Sequence, residues 1–170
     1  EKKATKARRI DLLGGDPALT PALLFTATHG VEFPIYHPDQ VRHQGSLLCQ
    51  DWEGPGSRLM REHYLAAEDI GERANMLGMV ALLFACYGAG TPELDQFAKQ
   101  AFKVREKIAP RSFTAALPQR MLRQGALAVM GHVERAWGYS FISPGGNLDN
   151  DAFVVTLRKL MNGERSTRQV

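Results

Sequence analysis

Three stretches of the chain are apolar nearly throughout and end on glycine or polar residues. The first, near 22–28, runs Leu23-Leu24-Phe25-Thr26-Ala27-Thr28 and stops on His29-Gly30. The second begins at Met79-Val80-Ala81-Leu82-Leu83-Phe84-Ala85 and stops on Cys86, followed by Tyr87-Gly88-Ala89-Gly90. The third, Ala126-Leu127-Ala128-Val129-Met130-Gly131, runs out into His132, Val133, Glu134 and Arg135. Short, continuous apolar runs of this kind predict buried strands of a parallel sheet, whose two faces are both covered.

Between and after these runs the apolar spacing turns helical. Thr91-Pro92 has the form of an N-cap and first helical residue, and Leu94, Phe97, Ala98, Ala101 and Phe102 recur on one face, so the pattern predicts a helix over about 92–107. A second is predicted from Ser112, with Phe113, Ala116, Leu117, Met121 and Leu122 on one face and its end at Gly125. Pro118 requires either a kink or a late start there. A third is predicted over 150–162, with Phe153, Val154, Leu157, Leu160 and Met161 apolar, and a short one near 68–77. Residues 46–52 read as a short strand or hairpin arm, 30–46 as a loop punctuated by Pro34, Pro38 and Gly45, and 57–64 are ambiguous. The order of elements gives an α/β protein: a three-layer α/β/α sandwich with a mostly parallel sheet. Residues 1–20 read as a basic, Gly/Pro-punctuated linker, 21–163 as the domain and 164–170 as a tail. Doubly wound sheets commonly have five or six strands. Only three strong strands and one weak one are visible, so the expectation is a piece of a larger protein.

Composition narrows the classes. A chain of 170 residues, 44% hydrophobic and 23% charged, can bury a sizeable core. No apolar run reaches the ~18 residues of a membrane helix, and no basic-then-apolar start marks a signal peptide. The formal charge of +3 invites a nucleic-acid reading, but residues 1–9 carry a net +4 and leave the remainder near −1. A charged end of this kind is a solvated tail more often than a phosphate footprint, so neither nucleic acid nor membrane is expected as a partner. Two cysteines, Cys49 and Cys86, do not make a disulfide framework, and a reducing cytoplasm is the simpler setting.

The candidate chemistry sits where the strands leave the sheet. In open α/β sheets ligands bind outside the carboxyl ends of the strands. His29 and Cys86 occupy that position on two strands, as a cysteine nucleophile and a histidine base require. A neighbouring imidazole and a helix starting at Pro92 would both favour the thiolate. The backbone N–H groups of Gly30 and Cys86 are the natural donors to an oxyanion. No Asp or Asn can be assigned as a third member. Asp51, Glu134 and Trp137 are candidates for a pocket that takes the side chain before the scissile bond.

The motifs Ala27-Thr28-His29-Gly30, Gly45-Ser46-Leu47-Leu48, Leu65-Ala66-Ala67-Glu68-Asp69-Ile70, Leu83-Phe84-Ala85-Cys86-Tyr87-Gly88-Ala89-Gly90 and Gly125-Ala126-Leu127-Ala128-Val129 resemble the caspase–gingipain group of cysteine peptidases. Within it the resemblance is to bacterial CHAT and gingipain-like domains, and it spans about residues 22–140. It implies a caspase-like, mostly parallel six-stranded sheet in which two strands precede the histidine strand, and these are lacking here. It further implies His29 as base, Cys86 as nucleophile, a dyad without cofactor or metal, and a polypeptide substrate. An acidic floor and aromatic wall for a basic side chain are also implied, with Trp137 near the expected place of the wall.

Other readings stand beside this one. Cys86 also reads as a small buried apolar residue, but its strand-end position and the glycines that follow favour the nucleophile. Cys49, between Leu48 and Gln50 at the end of an apolar pair, reads as core, His132 as structural, and Trp137 as core or pocket. His37, His43 and Cys49 lack the close ligand pair of a zinc site. No G-x-G-x-x-G or P-loop follows a strand. The expected function is a cysteine endopeptidase. The alternative is a caspase-like interaction or signalling domain without turnover, gated by a regulatory partner or by other domains of the same protein.

Overall fold

A computed structural model describes residues 4–15, 20–97, 105–138, 141 and 150–163. The chain divides into two units, Glu1–Ala136 and Trp137–Val170. The first is built on a three-stranded parallel sheet of β1 (Leu23–Ala27), β4 (Val80–Phe84) and β7 (Ala128–Gly131), with β4 in the middle. The register pairs Leu23 with Val80 through Ala27 with Phe84, and Val80 with Ala128 through Leu83 with Gly131. The three apolar runs form a parallel sheet, as their pattern predicts, but β1 and β7 hold no fully buried residue, so the expected cover on both faces is not found among the described residues, whose architecture is mixed α/β.

Period-two alternation sets the faces of β4. Ala81, Leu83 and Ala85 are buried in the core, while Val80, Leu82 and Phe84 are only partly covered. The core is closed by α3 (Ala116–Arg123), whose Leu117 and Met121 lie one turn apart on its inner face. A small antiparallel pair, β2 (Leu47–Leu48) with β3 (Tyr64–Leu65), adds Leu47, Leu65 and Cys49 to the same cluster. The short helix α2 (Gln40–His43) lies within the 30–46 loop.

Four local expectations need correction. The predicted linker contains α1 (Lys6–Ile10), capped by the Thr5 hydroxyl, which accepts the Arg8 N–H at 3.3 Å. It then turns through Asp11–Gly15, and Leu13 enters the core. The helix expected over 92–107 is absent where the chain is described, and its positions 98–104 lie outside the described residues. Thr91 does not cap a helix. It belongs to β5 (Gly90–Thr91), which pairs antiparallel with β6 (Phe113–Thr114). The Glu93 carbonyl accepts the N–H groups of Ile108 and Ala109, and the Asp95 N–H goes to Glu106, so long-range bonds replace the helical ladder. The helix predicted from Ser112 starts late, at Ala116. Pro118 then falls in the first turn, where a missing N–H leaves no bond unmade. The helix near 68–77 shrinks to a single 3₁₀ turn at Ala67–Asp69.

The second unit contains α4 (Asp151–Met161), as the apolar spacing predicts, and Phe141 packs on Phe153 with ring centroids 4.4 Å apart. The 164–170 tail and the Ser143–Gly146 loop lie outside the described residues. No helix among the described residues is long and apolar enough to cross a membrane.

The core assignment has a direct test. Leu83 is almost wholly buried, whereas the Leu127 side chain is 71% exposed. Leu83→Ala should lower the unfolding free energy by about 2–5 kcal/mol in urea titrations, and Leu127→Ala by no more than about 0.5 kcal/mol.

Candidate functional site

The parallel pairing of β1 and β4 carries His29 and Cys86 out of the sheet at the same end, each two residues beyond the last paired rung, Ala27 with Phe84. The ladder continues one step past the strands, with the Thr28 N–H bonded to the Phe84 carbonyl at 3.1 Å. The two exits then touch: a Cβ on Gly30 would overlap the Cys86 carbonyl, so only glycine permits this approach. The β2–β3 hairpin fixes the histidine side. The Leu48 N–H bonds to the His29 carbonyl at 2.9 Å, and the Thr28 hydroxyl donates to the Leu48 carbonyl at 2.8 Å.

The His29 ring is exposed and forms no hydrogen bond among the described residues. With Gly30, Val31, Glu32, Leu48, Trp52 and Leu59 it lines a cleft of about 260 Å³. Cys86 is half-buried and does not line that cleft. Its sulfur meets the Ala136 backbone, accepting the N–H at 3.4 Å and lying 3.7 Å from the carbonyl.

The backbone of this corner leaves several donors to spare, the N–H groups of His29 and Glu32 among them. Among the described residues, neither the Gly30 N–H nor the Cys86 N–H has an acceptor, although neighbouring groups are bonded. Val31 donates to Ser46, and Tyr87 to Glu134. Tyr87 is a fully buried non-glycine residue with φ 57°, in the left-handed region that costs side chains of order 1–3 kcal/mol. Core packing and a hydrogen bond from its hydroxyl to Glu32 Oε1 at 3.2 Å hold it there. Burial, and then Glu32, push its phenol well above the usual range.

The proposed pocket residues separate. Glu134 lies beside the thiol segment through the Tyr87 N–H, and is 7% exposed. Its Oε2 accepts the Gln96 N–H at 2.9 Å. Arg135 Nη1 bridges its Oε1 at 3.3 Å and Asp95 Oδ2 at 2.9 Å. Burial pushes the Glu134 carboxyl up, and the adjacent Asp95 carboxyl adds to this against the Gln96 N–H and Arg135. Asp51 is engaged elsewhere, accepting the Lys6 N–H at 2.6 Å where α1 begins. Trp137 belongs to the second unit, with its side chain 46% exposed. Cys49 is in the core, where burial raises its thiol pKa. His132 stacks edge-on to Phe84 at 4.7 Å, and burial lowers its imidazole. No group of three or more side chains able to hold a metal converges among the described residues.

One cluster escaped the sequence reading. His43, buried, contacts the Tyr64 hydroxyl through Nδ1 at 3.0 Å and Glu68 Oε1 through Nε2 at 3.2 Å. Glu68 also accepts from Arg42 at 3.0 Å and Arg61 at 3.0 Å. Burial acts to raise the Glu68 carboxyl, but the Arg61 hydrogen bond, His43 and Arg42 outweigh it and hold the group below its ordinary value. The one local signal was the spacing of Asp39 with His43 and of Arg58 with Arg61, each pair within one helical turn. The partners that give it meaning are far apart in sequence.

The chain matches no family model, no curated protein and no solved structure.

Glu68 supplies a pH test. A carboxyl whose folded pKa lies below its unfolded value stabilises the fold above the unfolded value, near 4.3, and loses that contribution as pH falls through the folded one. Glu68→Gln should therefore unfold at lower urea than the parent at pH 7. The gap should close as the titrations are repeated from pH 5 down to pH 3.

Proposed function

We propose that the chain is a cysteine peptidase domain of the caspase–gingipain type, with Cys86 as nucleophile and His29 as base. The observation that carries this is the parallel pairing that brings His29 and Cys86 out of the sheet at one edge, where the N–H groups of Gly30 and Cys86, like those of His29 and Glu32, have no acceptor among the described residues. Backbone N–H groups left free at a strand-end crevice are available to a developing oxyanion. Tyr87 adds a held backbone next to the sulfur, of the kind that clusters at functional sites.

In this reading the thiolate attacks the peptide carbonyl carbon, and the carbonyl oxygen becomes an oxyanion facing the Gly30 and Cys86 N–H groups. The C–N bond breaks as the protonated His29 ring gives its proton to the leaving amine. Water, deprotonated by His29, then hydrolyses the thioester to release the acid and restore the thiol. Both cysteines are free thiols, in keeping with a reducing compartment. Glu32, Asp95 and Glu134 outnumber Arg135 beside the thiol segment, which favours a basic side chain before the scissile bond.

The contact between Cys86 Sγ and the Ala136 backbone favours a second reading, in which the same domain is latent until a partner shifts the 134–136 segment.

Timed alkylation with iodoacetamide, mapped by peptide mass spectrometry, tests the first reading. Cys86 should react at least about tenfold faster than the buried Cys49, and His29→Ala should remove most of that advantage. Equal, slow labelling of both thiols would sink it in favour of the latent domain.

A further inference from the structure

The cleft that holds His29 is not isolated. Leu59 forms part of its wall and also part of the wall of a second cavity, of about 520 Å³. That second cavity has three guanidinium groups, Arg42, Arg58 and Arg61, against two carboxylates, Asp39 and Glu68. The charges are not equally committed. Arg42 and Arg61 are paired with Glu68, and Arg61 also with Asp69 at 2.9 Å. Arg58 is exposed and makes no ion pair or hydrogen bond among the described residues. It is carried on a turn in which Gly54 and Gly56 adopt φ 109° and 104°. Phe33 and Tyr64 also line the cavity, with their rings in edge contact at 6.4 Å.

Resting on the peptidase reading, we propose that this second cavity is a subsite for an acidic side chain of the polypeptide substrate, one or more residues removed from the scissile bond. The three guanidinium groups and two carboxylates of the lining sum to one positive charge, which a single carboxylate balances. A phosphate dianion would overshoot it and would face Asp39 and Glu68. The fork of Arg58 suits a carboxylate, and the aromatic wall suits the methylenes that carry it. A chain seated in the His29 cleft reaches the cavity by passing Leu59, so the two volumes act as successive subsites along one extended peptide.

The test is a cleavage profile of the full chain on a mixed peptide library, read by mass spectrometry. Glutamate or aspartate should be enriched at one position not adjacent to the cut. Peptides carrying glutamate there should then be cleaved about threefold better than their glutamine twins, the worth of one ion pair to an exposed arginine. Arg58→Ala should bring that ratio close to one, chiefly through KM. Arg58→Glu should turn the preference toward lysine at the same position, which also shows that the variant is folded. A library that is cut without acidic enrichment, or with an enrichment that Arg58→Ala leaves unchanged, overturns this subsite while leaving the peptidase standing. A library left uncut overturns the peptidase reading itself, and the subsite with it.

Discussion

The parallel pairing of β1 with β4 is the constraint on which the remaining geometry depends. Parallel strands send their carboxyl ends to the same edge, and a register of Leu23 on Val80 brings His29 and Cys86 out together. A one-residue slip would turn Ala81, Leu83 and Ala85 away from the core, so the hydrophobic pattern itself pins the two exits. β4 lies between two neighbours and is the best-held strand of the sheet, and Cys86 follows it directly.

Around that edge the structure spends its backbone bonds unevenly. The hairpin β2–β3 takes the His29 carbonyl and the Val31 N–H, and Glu134 takes the Tyr87 N–H. The N–H groups of His29, Gly30, Glu32 and Cys86 are left without acceptors among the described residues, in a corner so close-packed that Gly30 admits no side chain. The buried acids Asp95 and Glu134 share Arg135, which keeps negative charge in place without leaving it unpaired. Arg42, Arg58 and Arg61 gather in the second cavity, which shares Leu59 with the His29 cleft.

What the sequence made legible follows from how local each cause is. The three strands were visible because each is a short apolar run with glycine or polar punctuation, and their ends pointed to His29 and Cys86. The helix over 92–107 was misread because Thr91-Pro92 and the Leu94/Phe97 spacing are local signals, whereas the Thr91 pairing with Phe113 and the Glu93 bonds to Ile108 and Ala109 are not. Residues 1–20 looked like linker because their partners lie some forty to sixty positions away: Lys6 on Asp51 and Asp69, Arg9 on the Leu48 carbonyl. The left-handed Tyr87 had no signature, since glycine would be expected at such a φ. Asp51 looked like a candidate pocket residue because nothing nearby in sequence showed that it receives the Lys6 N–H.

The attachment of α1 has a mechanical corollary. Ala4 and Gln50 exchange hydrogen bonds, and Lys6 grips Asp51, the Arg61 carbonyl and Asp69. The leading segment is thus stitched onto the loop that carries Trp52, itself a wall of the His29 cleft. A strain applied to the chain just before Thr5 is therefore passed through these bonds to that wall.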